Sequence, residues 1–141
     1  MANQPRKLDR ILRVRTLQLG LTRADEARAQ AKVDSEAALS SRIAQLSQGV
    51  APAEAQADTA LSFIAAAHFR DRLHQSAAAA DERLRAAKAV LERAGEARKQ
   101  AKRDQSAVEK LIARDDAAAA LKALRALEEA PPLRKIRHDP C

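Results

Sequence analysis

Bulky core material is nearly missing from this chain of 141 residues, which has two phenylalanines, one methionine, no tryptophan and no tyrosine. A conventional globular core is therefore excluded. The 46% apolar content rests on 35 alanines, and alanine removes little area from water. Three glycines leave few turns. The single cysteine, Cys141, cannot close an internal disulfide, and the expectation is a reducing, cytosolic setting. No apolar run approaches the roughly 18 residues of a membrane span, and no apolar signal-peptide core is present.

Chemistry-bearing clusters are missing as well. His68 and His74 are six residues apart, on different sides of a helix, with no cysteine or carboxylate cluster to complete a metal site. The pairs Asp115-Asp116 and Glu128-Glu129 are adjacent, so their side chains diverge along a helix and read as surface charge. No glycine-rich phosphate loop occurs. The expectation is a protein that is not an enzyme, with no catalytic residue, no cofactor and no metal ligand.

What remains is helix. A composition dominated by Ala, Leu, Arg, Glu, Lys and Gln is that of long helices. The segment from Ala60 to Glu129 has no proline, one glycine, and a polar residue in nearly every gap between apolar ones. Leu73, Ala77, Ala80, Leu84, Ala87, Leu91, Ala94, Ala101, Val108 and Ile112 recur three and four apart. Arg98 and Gln105 fall where the run would otherwise be apolar. This thin seam predicts a long helix that packs against another.

An earlier segment, from Lys7 to about Gln48, carries Leu8, Leu12, Arg15 and Leu19 on one face. Ala24, Ala27, Ala31 and Ala38 follow, and Leu39, Ile43, Leu46 and Val50 close it on a displaced stripe. Gly20 is read as a weak point with a small bend. Gly49 followed by Pro52 is a helix stop.

The predicted fold is all-α: one long antiparallel two-helix coiled-coil hairpin with unequal arms. Its parts are a helix over 7–48, a turn over 49–59, a helix over 60–129 and a basic tail over 131–141. At 1.5 Å per residue the arms would measure about 60 Å and up to about 115 Å. The longer arm is expected to overhang from about Arg98, and to fray or kink at Asp115-Asp116.

The net charge of +7 is uneven, with +4 over residues 1–50 and +5 over 82–114, against −2 over each of 51–81 and 115–130. Such a balance favours an acidic protein, a nucleic acid or an anionic surface. The run Arg98, Lys99, Lys102, Arg103, Lys110 and Arg114 contains no interleaved aromatic for base stacking. Glu92, Glu96, Asp104 and Glu109 interrupt it, and no nucleic-acid partner is expected. Arg6, Arg10 and Arg13 form a second basic stripe, which a hairpin would set beside the first to make one electropositive end. Phe63, Phe69, Ile64 and Leu73 follow the turn. The favoured reading is that they lock the hairpin tip over Ile43 and Leu46; the other is a partner-docking patch.

The opening KLDRILRVRTLQLGLTRADEARA and the run ARKQAKRDQSAVEKLIAR, with its core Glu109-Lys110-Leu111 and Arg114 following, resemble FliJ-type proteins. These are the coiled-coil components of the flagellar type III export apparatus, related to the YscO-type stalks of injectisomes. Length, two-helix plan and mid-chain break agree along nearly the whole chain. The resemblance implies a stalk, monomeric before assembly, that enters the export ATPase ring and also touches the membrane-embedded export gate. It implies work with export chaperones and a cytoplasmic location at the inner membrane's inner face. Carried onto this chain, Arg6, Arg10, Arg13, Arg98, Lys99, Lys102, Arg103, Lys110 and Arg114 become the ATPase-facing candidates. Phe63, Phe69 and Leu73 become the gate-facing ones. The competing reading is a homo-oligomeric coiled-coil scaffold or holdase chaperone; less favoured is a basic helix associated with nucleic acid.

Overall fold

A computed structural model of the chain describes residues 4–50 and 60–132, with side chains from 7 to 49 and from 60 to 132. Two helices account for nearly all of it: α1, Gln4–Val50, and α2, Ala60–Glu128. They pack against each other as an all-α hairpin. Among the described residues there is no strand. The predicted turn over 49–59 begins with Gly49 and Val50, which belong to α1, and residues 51–59 lie outside the described residues, as does the tail from 133 onward.

Both helices run without a break where interruptions were expected. Helical bonding passes through Gly20, which makes no contact that a methyl group would disturb, and no described residue has a positive φ. The stretch from Asp115 through Ala120 is continuous helix too. Strong helix formers on both sides outweigh one glycine or one acidic pair. Below Glu128 the chain leaves the helix, with Glu129 N–H bonding back to the Arg125 carbonyl before Pro131 and Pro132.

The seam obeys a strict alternation of four and three. On α1 it passes through Leu8, Leu12, Arg15, Leu19, Thr22, Glu26, Ala29, Val33, Glu36, Ser40 and Ile43. On α2 it follows Ala66, Arg70, Leu73, Ala77, Ala80, Leu84, Ala87, Leu91, Ala94, Arg98, Ala101, Gln105, Val108 and Ile112. The α2 seam matches the sequence reading. In the middle of α1 it does not. Ala24, Ala27, Ala31 and Ala38 are exposed, and the seam runs instead through residues that include Thr22, Glu26 and Glu36. Glu26 and Glu36 hold those places because α2 offers each a partner, and the Thr22 hydroxyl donates to the Leu19 carbonyl of its own helix, none of which hydrophobic periodicity can register.

The cross-helix pairs define the register. Arg15 meets Asp104 at 3.2 Å, the Gln105 amide donates to the Thr16 hydroxyl at 3.2 Å, Glu26 meets Arg98, and Glu36 meets Arg83 at 3.4 Å. The Ser40 hydroxyl donates to Asp81 at 3.2 Å. Numbers rise on one helix as they fall on the other, so the pair is antiparallel. Arg98 and Gln105 thus lie inside the paired region, not in an overhang. The overhang starts after Ile112, and every described residue from 113 onward is exposed. Its helical part, residues 113–128, reaches about 24 Å past the seam.

Candidate partner-binding end

Burial is slight throughout, which places the interest on the surface. The buried apolar side chains are Leu19, Ala29, Val33, Ala80, Ala87 and Val108, and none of them is large and fully enclosed. Leu8, Leu12, Leu84, Leu91 and Ile112 flank them at half-buried seam positions.

The predicted ATPase-facing cations separate into two groups. Arg98 is half-buried in the seam and ion-paired with Glu26, so its charge is largely spent inside the hairpin. Lys99 bonds to Glu96 at 2.7 Å along its own helix, Lys102 donates to Gln105 at 3.0 Å, and Arg103 donates to Gln100 at 2.8 Å. The Lys99 ammonium holds the Glu96 carboxyl below its ordinary value, first by that hydrogen bond and then by its charge, with Arg103 adding to the effect. Arg10, Arg13, Lys110 and Arg114 are exposed, and none makes an ion pair among the described residues. The Arg6 side chain lies outside the described ones.

The antiparallel register sets residues 7–13 level with the stretch around Lys110. The two basic stripes share one end of the hairpin, where the N-terminus of α1 lies beside the late part of α2. Each occupies the outer side of its own helix, so together they surround the end and do not meet across the seam. The carboxylates of Glu26 and Asp104 are taken up by seam partners, while Asp9, Glu109, Asp115 and Asp116 stand exposed among the cations, so this end is of mixed charge with a small positive excess.

At the other end the aromatics do not close the tip. Phe63 is 53% and Phe69 49% exposed, Ile64 and Leu46 are more so, while Ile43 and Leu73 are half-buried seam residues. Phe63 keeps the seam spacing, three residues before Ala66. The register, however, places it beyond the level of Val50, where α1 ends and no described residue faces it.

Sequence reading passes over one group, Ile11, Val14, Leu17 and Leu21, which lies exposed on the outer side of α1. Its spacing of three, three and four was a visible signal, hidden by the stronger seam beside it. Among the described residues no group of His, Cys, Asp and Glu is placed to hold a metal ion, and no helix is long and apolar enough to cross a membrane. No family model matches the chain, and comparison with curated proteins and with solved structures finds no match either.

Proposed function

We propose that this protein is a stalk of the FliJ type, which engages the flagellar export ATPase ring with the end that bears its two basic stripes and the export gate with another surface. The observation that carries this reading is the unequal antiparallel hairpin that sets Arg10, Arg13, Lys110 and Arg114, none of them in an ion pair among the described residues, at the end next to an overhanging arm. A two-helix rod resists shortening, because its backbone hydrogen bonds run nearly along the helix axis, and so transmits an asymmetric push or torque. Charge at its end permits engagement without permanent burial. The rod has no chemistry of its own in this scheme; hydrolysis belongs to the ring.

The geometry changes which cations matter. Arg98, Lys99, Lys102 and Arg103 already have partners within the hairpin. Arg10, Arg13, Lys110 and Arg114 are free to meet acidic groups on the ring. The gate-facing assignment of Phe63 and Phe69 is supported by their exposure at the far end.

Co-sedimentation of the purified chain with the export ATPase tests the proposal. Arg10→Ala/Arg13→Ala/Lys110→Ala/Arg114→Ala should weaken ring binding about tenfold or more at moderate salt, with helical content unchanged. A Phe63→Ser/Phe69→Ser variant should bind the ring normally and lose the gate protein. Wild-type protein that ignores the ATPase, or a quadruple variant that binds as well as wild type, would overturn the assignment.

A further inference from the structure

The outer side of α1 changes character at Leu21. Before it, Ile11, Val14, Leu17 and Leu21 are 45%, 53%, 69% and 67% exposed. Beyond it, the outermost positions continue as Ala24, Arg28, Ala31, Ser35 and Ala38, and the next exposed aliphatics, Leu39 and Leu46, lie to one side on the track of Ile11. The seam with α2 uses the opposite side, through Leu8, Leu12, Arg15 and Leu19. The first half of α1 is therefore amphipathic twice over. One apolar face is covered by α2, and the other, about 15 Å long at 1.5 Å per residue, has no partner.

Charge decides what fits there. Lys7, Arg10 and Arg13 border the stripe and make no ion pair among the described residues, and Asp9 is the only acid between residues 7 and 21. A shallow groove of about 550 Å³, lined by Lys7, Arg10, Ile11, Val14, Arg15 and Gln18, lies on the flank between the start of this face and the seam. A second copy packed parallel on this face by a twofold axis would bring Lys7, Arg10 and Arg13 beside their own counterparts, and an antiparallel copy would show as a concentration-dependent dimer. The chain's own tail, LRKIRHDPC, is basic as well. Interfacial helices on an anionic membrane carry Trp, Phe or Leu on the apolar face; this half of α1 offers leucines but neither aromatic, on a stripe only four aliphatics long.

We infer that the outer face of α1 over residues 7–21 is a docking site for an acidic amphipathic helix of a partner protein, which packs as a third helix against the hairpin. Its apolar residues seat on Val14, Leu17 and Leu21, and its flanking carboxylates meet Lys7, Arg10 and Arg13. Three- and four-residue spacing on both sides is the requirement for helix-on-helix packing, and opposite charge at the flanks selects the partner. The inference does not depend on the export reading, and its test contains no export component, so either can fail alone.

The probe is a labelled synthetic helix of 21 residues with leucine at the a and d positions and glutamate at e and g. A counterpart with lysine replacing every glutamate keeps the same apolar face. Fluorescence anisotropy against the full-length protein near physiological salt should show the acidic helix bound at least about tenfold more tightly than the basic one. Leu17→Ser/Leu21→Ser should weaken the acidic helix by about tenfold or more, while circular dichroism and melting stay unchanged because both leucines are exposed. A tip variant, Phe63→Ser/Ile64→Ser, should bind like wild type. Equal binding of the two helices, or binding indifferent to Leu17→Ser/Leu21→Ser, overturns the inference. So does a concentration-dependent dimer abolished by that variant, or binding to vesicles of phosphatidylcholine and phosphatidylglycerol without binding of the acidic helix.

Discussion

Glu36 is the buried charge among the described residues, 6% exposed at a seam position that would ordinarily be apolar. Lys32, one turn back on α1, bonds to one of its oxygens at 2.8 Å, and Arg83 of α2 lies 3.4 Å from the other. The Lys32 hydrogen bond is the first cause holding its carboxyl below the ordinary value of 4.5. The charges of Lys32 and Arg83 assist, against an opposing effect of desolvation. A lowered folded-state value means that the unfolded chain takes up the proton more readily. The stabilising contribution is therefore full above pH 4.5 and is lost as pH falls below it, through the folded-state value. Thermal melts between pH 7 and 3 should show that acid loss in the wild type and a shallower loss in Glu36→Gln. Parallel profiles for the two proteins would refute the role given to Glu36. Sequence inspection had no means of finding this residue, because a glutamate on an Ala-rich helix reads as a solvated side chain until its neighbour across the seam is known.

The helices find their register through polar rungs more than through hydrophobic shape. Alanine at Ala77, Ala80, Ala87, Ala94 and Ala101 makes α2's seam nearly uniform, and a uniform seam distinguishes poorly between one alignment and the next a heptad away. The pairs Arg15 with Asp104, Glu26 with Arg98, and Glu36 with Arg83 are satisfied together in one alignment. A slip of seven residues would bring Arg15, Glu26 and Glu36 level with Ala97, Leu91 and Ser76 in one direction and with Leu111, Gln105 and Val90 in the other, so all three ion pairs would be lost. In a double-mutant cycle, Arg98→Glu should destabilise the hairpin and Glu26→Arg/Arg98→Glu should recover much of the loss. The coupling should be about 1 kcal/mol or less, as both side chains remain partly solvated. No recovery in the swapped protein would show that the pair does not set the register. The α2 seam was readable from the sequence because its apolar spacing is nearly complete. The middle of the α1 seam was not, because Thr22, Glu26, Glu36 and Ser40 hide it behind a parallel track of alanines.

The described residues form one hairpin with an appended arm. The paired region extends on α2 to Ile112, and the helical residues 113–128 beyond it carry Leu121, Leu124 and Leu127, which are 50% to 73% exposed. These leucines fall off the seam spacing that ends at Ile112, so the arm turns its apolar side away from the line that α1 would extend. Removing residues 115–141 should leave the melting midpoint within about 3 °C of the full-length value, since no described seam contact is lost. Hydrogen exchange in the intact protein should be fast in the arm and slow between Ala77 and Ile112. A large drop in the midpoint on truncation would show that the arm is packed against something the hairpin provides.

The sequence by itself determined that this chain is helical, thin, basic and broken once, because composition and hydrophobic period are local properties. A scarcity of large side chains rules out a broad core whatever the topology, and a glycine followed by proline stops a helix whatever lies beyond. It also located the cations and the aromatics. Only the tertiary structure decided where the overhang begins, which cations are already paired, and that Phe63 and Phe69 stand half exposed at the tip. It alone showed that α1 carries two apolar faces, one covered and one open. Each of these depends on the alignment of two helices, which is set by contacts between residues some forty to ninety positions apart in the chain, such as Ser40 with Asp81 and Arg15 with Asp104. No local pattern encodes such pairs.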